Sequence, residues 1–278
     1  MILDAHHHLW RIGDNGHEWP TPDLGAIYRD FDAAELNAVL TGAGVDATVL
    51  IQSQPADADT EWMLAVAAEI PQIRGVVGWT DLAAPDAPER IAELARRPKL
   101  KGLRPMLQGL PRDDWIIQPD VQPALKAMID HGLTFDALVF TRHLPFVTEI
   151  ARAYPDLAIV IDHCAKPPVG RRDGIKVWRE KISQAAKRPN IYCKISGLPT
   201  ELPSGAPMND LSQIVRHVLQ IFGPDRLMWG SDWPVVNLQS DYGSWLSWAS
   251  QELGDLASYD RRKIFYETAS RFYKAAPV

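Results

Sequence analysis

The stretch MILDAHHHLW, residues 1–10, holds a short apolar segment, Ile2–Ala5, that leads directly into three histidines. Further short apolar runs recur along the chain, and each is followed by residues with helical spacing. Such alternation is typical of a parallel sheet with helices on both faces. We predict eight strands, at Ile2–Ala5, Ala47–Ile51, Ile73–Trp79, Lys101–Arg104, Thr134–Val139, Ala158–Asp162, Ile191–Ile195 and Leu227–Gly230.

The segments between these strands predict helices. The first lies in DAAELNAVLTGAGV, residues 32–45, where Asp32 suits an N-cap and Gly44 suits a helix end. The others are predicted at Thr60–Glu69, Ala87–Arg96, Val121–Asp130, Leu144–Ala153, Ile175–Lys187, Leu211–Phe222, Tyr242–Leu253 and Asp260–Tyr273. Eight strand–helix units with no Gly/Ser-rich linker favour a closed (β/α)8 TIM barrel over an open doubly wound sheet. The prediction is one domain, residues 1–278.

Composition narrows the range of partners. The formal net charge of −6 argues against nucleic acid, because binding to a phosphate backbone needs a basic face. No apolar run is long enough to span a membrane, and no basic and apolar leader precedes the first strand. We therefore expect a cytoplasmic protein that acts on a small molecule, and a homo-oligomer is left open.

Four chemically active side chains follow three of the predicted strands. His6 and His8 are two residues apart, and alternation along a strand places both on one side while His7 points the other way. His163 follows the sixth strand, and Asp232 follows the eighth. The carboxyl ends of barrel strands surround one cavity, so these groups should meet there. Three imidazoles and a carboxylate suit the activation of a water molecule.

The segments DAHHHLW, IDHCAKP and WGSDWP, with KGLRP at residues 101–105, resemble those of the amidohydrolase superfamily. The resemblance is to its lactonase branch, which includes hydrolases of L-fuconolactone, L-rhamnonolactone and a pyrone dicarboxylate lactone. It implies a carboxylic-ester hydrolase in which Asp232 is the general base that takes a proton from water. It also implies that His6, His8 and His163 surround the scissile carbonyl.

The chain departs from the superfamily's metal pattern at two positions. Binuclear members carry a bridging lysine at the end of the fourth strand, where this chain has Arg104. Members with one metal usually add a histidine from the fifth strand, where this chain offers Asp136. Two alternatives remain. Either His6, His8 and Asp232 hold one Zn²⁺ or Mn²⁺, or no metal is required and protein groups assist the carbonyl.

Other polar and aromatic residues near strand ends are candidates for substrate binding. Arg104 could orient a carbonyl with its guanidinium, or it could form a structural pair with a barrel carboxylate such as Asp136. Tryptophans near strand ends could stack on a sugar ring, or they could anchor loops. The predicted substrate-binding residues are Arg104, Trp10, Gln52, Trp79, Trp115 and Lys194.

The leading hypothesis is hydrolysis of a neutral aldonolactone, such as L-fuconolactone, to the open sugar acid. In this mechanism His163 assists proton delivery to the leaving alkoxide. A second hypothesis is hydrolysis of an anionic lactone of the pyrone dicarboxylate or muconolactone type. A metal-dependent decarboxylase and a binding protein without catalysis are further alternatives, since fold alone does not establish catalysis.

Overall fold

The computed structural model of the chain describes residues 1–275, so the last three residues of the predicted domain lie outside it. Eight parallel strands follow one another around a single sheet in chain order. Their bounds are β1 Leu3–His7, β2 Ala47–Ile51, β3 Ile73–Gly78, β4 Leu100–Leu103, β5 Thr134–Ala137, β6 Ile159–Ile161, β7 Ile191–Ile195 and β8 Leu227–Trp229.

The first strand and the segment after the last strand close the sheet into a barrel. The backbone N–H of Asp232 donates to the carbonyl of His6 at 2.7 Å, and that of His8 donates to Trp233 at 2.7 Å. The prediction of a (β/α)8 barrel is confirmed. Its closure matters for function because it draws the segment after β8 against the histidines of β1.

Helices surround the barrel. Their bounds are α1 Ala33–Ala43, α2 Asp57–Glu69, α3 Ala87–Leu94, α4 Gln122–Asp130, α5 Leu144–Ala153, α6 Arg172–Ala186, α7 Ser212–Phe222, α8 Tyr242–Glu252, α9 Ser258–Arg262 and α10 Thr268–Phe272. The Asp32 side chain caps α1 as predicted, and Gly44 ends that helix with a φ of 66°. The predicted C-terminal helix is present as one helical run, in which a π-helical turn, Lys263–Glu267, joins α9 to α10. Within residues 1–275, the helices are too short or too polar to cross a membrane.

The barrel has two apolar layers and a charged centre. A large core fills the space between sheet and helices, and a smaller one, which includes Leu3, Val49 and Tyr273, lies inside the barrel. Asp136, on β5, and Lys194, on β7, are fully buried. Buried charges need partners, and these two are paired with each other and with further groups described below.

Candidate active site

A bulge in β1 aims two histidines at the barrel mouth. The register of β1 against β2 shifts between Asp4 and His7, so β1 carries one extra residue there. Asp4 accepts a hydrogen bond from Tyr242 of α8, and His7 contacts Thr48. His6 and His8 lie on the other side, with their Nε2 atoms 3.2 Å apart. Bulges commonly re-aim side chains beside active sites.

The segments after β6 and β8 hold their side chains through unusual backbone conformations. His163 and Asp232 have φ values of 51° and 57°, in the left-handed region. Non-glycine residues occupy that region at a cost, and such residues cluster at functional sites. Gly197 lies against both: a methyl group there would lie 2.4 Å from His163 Nδ1 and 3.0 Å from Asp232 Oδ2. The close approach therefore requires glycine at this position.

The Oδ1 atom of Asp232 is the centre of the cluster. It lies 3.4 Å from His8 Nε2, 3.6 Å from His6 Nε2 and 3.8 Å from His163 Nε2. This oxygen is buried and has no hydrogen-bond partner among residues 1–275. Burial by itself raises the pKa of Asp232, but the neighbouring imidazoles, His163 foremost, hold that pKa well below its usual range. The carboxylate is therefore ionised at neutral pH.

The imidazoles are fixed by their second nitrogen atoms. His8 Nδ1 donates to the carbonyl of Ile51 at 2.8 Å, so in neutral His8 the Nε2 atom that faces Asp232 carries a lone pair. His163 Nδ1 contacts Ser196 Oγ at 2.8 Å. Burial lowers the pKa of His163 to about 4, so its ring is neutral at pH 7.

His6 can adopt either neutral tautomer. Its Nδ1 lies 3.2 Å from the donor Nζ of Lys194 and 3.4 Å from the acceptor Oδ1 of Asp162. One tautomer offers an N–H at Nε2, and the other offers a lone pair there. Burial, followed by the charge of Lys194, lowers the pKa of His6 well below its usual range.

A cavity of about 190 Å³ lies above this cluster. His8, His163 and Asp232 form one side of the cavity, together with Arg104. The remaining lining residues come from the loops that follow the strands, and they mix apolar and uncharged polar groups with one lysine: Trp19, Ser53, Met106, Gln108, Leu138, Lys166 and Val235. A cleft that combines apolar walls with a few converging polar groups suits a small organic ligand.

The sequence matches the family described as Amidohydrolase over residues 3–275. The chain belongs to this amidohydrolase family. An L-fucono-1,5-lactonase of Burkholderia ambifaria is 46% identical over 98% of this chain and 95% of its own length. An L-fucono-1,5-lactonase of Burkholderia multivorans is 30% identical, covering 98% of this chain and 96% of its own. These relatives agree with the prediction of a lactonase.

A solved structure shows how closely the fold is shared. It is an amidohydrolase from Burkholderia multivorans with bound zinc, 30% identical over 99% of this chain and 100% of that chain, with a TM-score of 0.93. In the present amidohydrolase, His6, His8 and Asp232 each offer one potential ligand atom, and these three atoms lie within 4.8 Å of one another. The same is true of a second group, His6, Asp162 and His163.

Geometry supports cation binding at the first group. Zinc bonds of about 2.0–2.2 Å place tetrahedral ligand atoms about 3.3–3.6 Å apart. The distances from Asp232 Oδ1 to His6 and His8, and the 3.2 Å between the two histidines, are close to that range. The lone pair of His8 and the carboxylate of Asp232 also repel each other unless a proton or a cation lies between them. The residues present therefore fit one divalent ion.

Two of the predicted substrate-binding residues lie beneath the cavity of this amidohydrolase. Lys194 is fully buried, and its Nζ lies 2.6 Å from Asp136 Oδ2 and 2.9 Å from Asp162 Oδ1. Its charge is therefore paired with carboxylates inside the barrel. The Gln52 side-chain amide donates to the backbone carbonyl of Arg104 at 2.8 Å, and the backbone carbonyl of Gln52 accepts from the Arg104 guanidinium. Both residues support the site and do not line its cavity.

The predicted tryptophans are also set back. Trp10 is buried, donates from Nε1 to Arg29, and packs edge-on against Trp19 with ring centroids 5.3 Å apart. Trp79 and Trp115 are half-buried and stand outside the lining of the cavity. Arg104 does line it, and pairs with Asp162 at 3.3 Å and not with Asp136 as suggested.

The sequence analysis missed two residues that contact or line the site. The carboxylate of Asp162 contacts Lys194, Arg104 and His6. Its position directly before His163 in the sequence could have indicated that it lies near the site. Trp19 lies in a loop of irregular sequence that Gln54 holds in place: the Gln54 amide accepts from the N–H of Trp19 and donates 2.6 Å to its carbonyl. Strand periodicity gave no indication of either contact.

Proposed function

We propose that this amidohydrolase hydrolyses a neutral sugar-acid lactone, L-fuconolactone or a close relative, to the open acid. The observation that carries the proposal is the ionised, partnerless Oδ1 of Asp232 at the floor of a small cavity, ringed by three imidazoles. A carboxylate in this setting can take a proton from a water molecule as that water attacks a carbonyl carbon. The choice of a sugar-acid lactone as substrate follows the two lactonase relatives.

Two groups of this chain would stabilise the oxygen of the attacked carbonyl. Arg104 Nη1 lies 3.5 Å from His6 Nε2, beside the cavity. The guanidinium and, in one tautomer, the Nε2–H of His6 would donate to the developing oxyanion. Neutral His8 has no proton at Nε2 and does not serve this purpose. Asp232, once protonated, and the neutral His163 ring beside it would return the proton to the leaving alkoxide.

One divalent cation, Zn²⁺ or Mn²⁺, would be held by His6, His8 and Asp232. When bound, such an ion polarises a carbonyl and lowers the pKa of water. The orientation of His8 favours this site, because its lone pair is already directed at the carboxylate. The second tautomer of His6, which donates from Nδ1 to Asp162, would direct a second lone pair to it.

Metal binding has a readout separate from turnover. We expect about one equivalent of divalent metal per chain in protein loaded with Zn²⁺ or Mn²⁺ and then desalted, and a loss of most of it in His8→Ala, because two remaining ligands bind weakly. His217→Ala, at a half-buried helix position beside Ser183, is the matched control and should retain the metal. Equal metal content in all three proteins, measured by plasma mass spectrometry, would contradict the site.

The charges around the cavity favour a neutral lactone over an anionic one. Each cation near the mouth already has a carboxylate partner: Arg104 pairs with Asp162, and Lys166 pairs with Glu201 at 3.2 Å. Arg142, in the neighbouring loop, pairs with Asp113 at 2.7 Å. A dicarboxylate would have to compete with these partners, and uncharged hydroxyls would not.

A panel of lactones tests the proposal. We expect a pH-indicator assay to give kcat/KM of about 10⁴ M⁻¹s⁻¹ or more for at least one aldonolactone, within the usual range of enzymes, and values at least about tenfold lower for pyrone dicarboxylate and muconolactones. Turnover confined to the anionic lactones would favour the second hypothesis. Absence of turnover on every lactone would refute the proposed function.

A further inference from the structure

One polar atom in the cavity wall has no role in the chemistry above. Gln108 lines the cavity, and its Oε1 is buried without a hydrogen-bond partner in the part of the chain that the structure describes. Buried polar atoms nearly always have a partner, so such an atom in the wall of a cavity is available to a group of a bound ligand. The same holds if the amide is turned over, because its nitrogen would then need an acceptor.

The position of Gln108 is fixed from the neighbouring loop. Gln108 lies in a 3₁₀ turn, Leu107–Gly109, after β4. The backbone carbonyl of Gln108 accepts a hydrogen bond from Arg142 Nη2 at 3.3 Å. Arg142 Nε also donates to Asp113, in the same loop as Gln108, at 2.7 Å. His143 Nε2 lies 3.2 Å from the same carboxylate oxygen. The connection after β5 thus holds the backbone that carries Gln108, which lowers the entropy cost of ordering this loop around a ligand.

The chemistry of the wall around Gln108 indicates what it binds. The lining of the same cavity also contains the apolar Met106 and Leu138. An uncharged amide in such a mixed lining matches a hydroxyl, which both donates and accepts, whereas a carboxylate would call for an unpaired cation. We propose that Gln108 binds a ring hydroxyl of the lactone and so determines which hydroxylated lactones the enzyme prefers; this rests on the proposed function.

The test pairs a side-chain deletion with a hydroxyl deletion. Gln108→Leu and Gln108→Met remove the amide at similar size, and kcat/KM is measured on a good lactone substrate and on analogues that each lack one hydroxyl. We expect both variants to lose about 10- to 100-fold on the parent lactone, but less than about threefold on one deoxy analogue, on which the wild type is already slow. That pattern identifies a hydroxyl as the partner of Gln108.

The control separates binding from loop damage. Gln118 belongs to the same connection, and its Nε2 donates to Asp114 at 3.0 Å away from the cavity lining. Gln118→Leu should lower the melting temperature without changing the ratio of rates between parent and deoxy lactones. Uniform losses on all lactones in the Gln108 variants, or none, would overturn the inference while the proposed function stands. A wild type that hydrolyses no lactone would overturn both.

Discussion

Asp232→Asn is expected to lower kcat by about 10³-fold while the affinity for lactone or product changes by less than about threefold. General bases typically contribute about 10²–10⁴-fold, and Asn cannot accept the proton of the attacking water. Asn keeps the size of the side chain and tolerates the left-handed backbone that Asp232 adopts, so the local fold should survive. Single-turnover kinetics give the rate, and calorimetry with the sugar acid gives the affinity.

A matched variant guards against a general effect of removing a charge. Asp225, just before β8, is a mostly exposed carboxylate that pairs with Lys263 at 3.0 Å. Asp225→Asn should keep wild-type kcat and KM. If Asp232→Asn retained more than about a tenth of wild-type kcat, Asp232 would not be the general base. A collapse in affinity together with kcat would instead mean that Asp232 mainly binds the substrate or a metal.

The placement of the cluster of three histidines and Asp232 was largely predictable, since parallel-strand order dictates which strand ends meet. Alternation correctly put His6 and His8 on one side and His7 on the other. The inner core, however, contains Leu3 and Ala5, and strict alternation from these residues would turn His6 outward. The bulge between Asp4 and His7 corrects this. No residue in the stretch marks the bulge, because it arises from pairing with β2 and closure against the segment after β8.

The set of residues that line the cavity was much less predictable. The position of a residue near a strand end tells its level along the barrel axis, but not whether its side chain reaches the cavity. Trp10 and Trp19 both follow β1. Trp19, which is hydrogen-bonded to Gln54, lines the cavity, whereas Trp10 packs against Trp19 outside the lining. Contacts between loops separated by tens of residues leave no periodic signal in the sequence. Such loops give each barrel enzyme its specificity.

Lys194 shows why a cation at a strand end was misassigned as a ligand contact. Its neighbours Cys193 and Ile195 pack in the outer core, so alternation turns Lys194 into the barrel. There it lies between Asp136 and Asp162, and Tyr273 from the C-terminal segment also donates to Asp136, at 2.5 Å. Burial raises the pKa of Asp136, although Lys194 opposes it; for Asp162, Lys194 and His6 outweigh burial and hold the pKa well below its usual range.

Lys194→Met is therefore expected to lower the free energy of unfolding by about 3–5 kcal/mol, because it leaves two carboxylates buried without their shared cation. Guanidinium denaturation at pH 7 measures the loss. Because the pKa of Asp162 is depressed in the folded protein, the stabilisation it brings to the wild type is present above the unfolded-chain pKa of about 4 and is lost as the pH falls below that value. The difference between the two proteins should therefore shrink below about pH 4. Lys166→Met removes a lysine from the more exposed pair with Glu201, and should cost no more than about 1 kcal/mol.

Adding Asp136→Asn to Lys194→Met separates charge from packing. Neutralising one of the two carboxylates should restore part of the lost stability, because the remaining Asp162 keeps Arg104 at 3.3 Å as its partner. A double variant no more stable than Lys194→Met alone would mean that the loss comes from packing. A loss below about 1 kcal/mol in the single variant would mean that the centre of the barrel tolerates unpaired carboxylates, and that Asp162 does not need Lys194 to stay ionised beside His6.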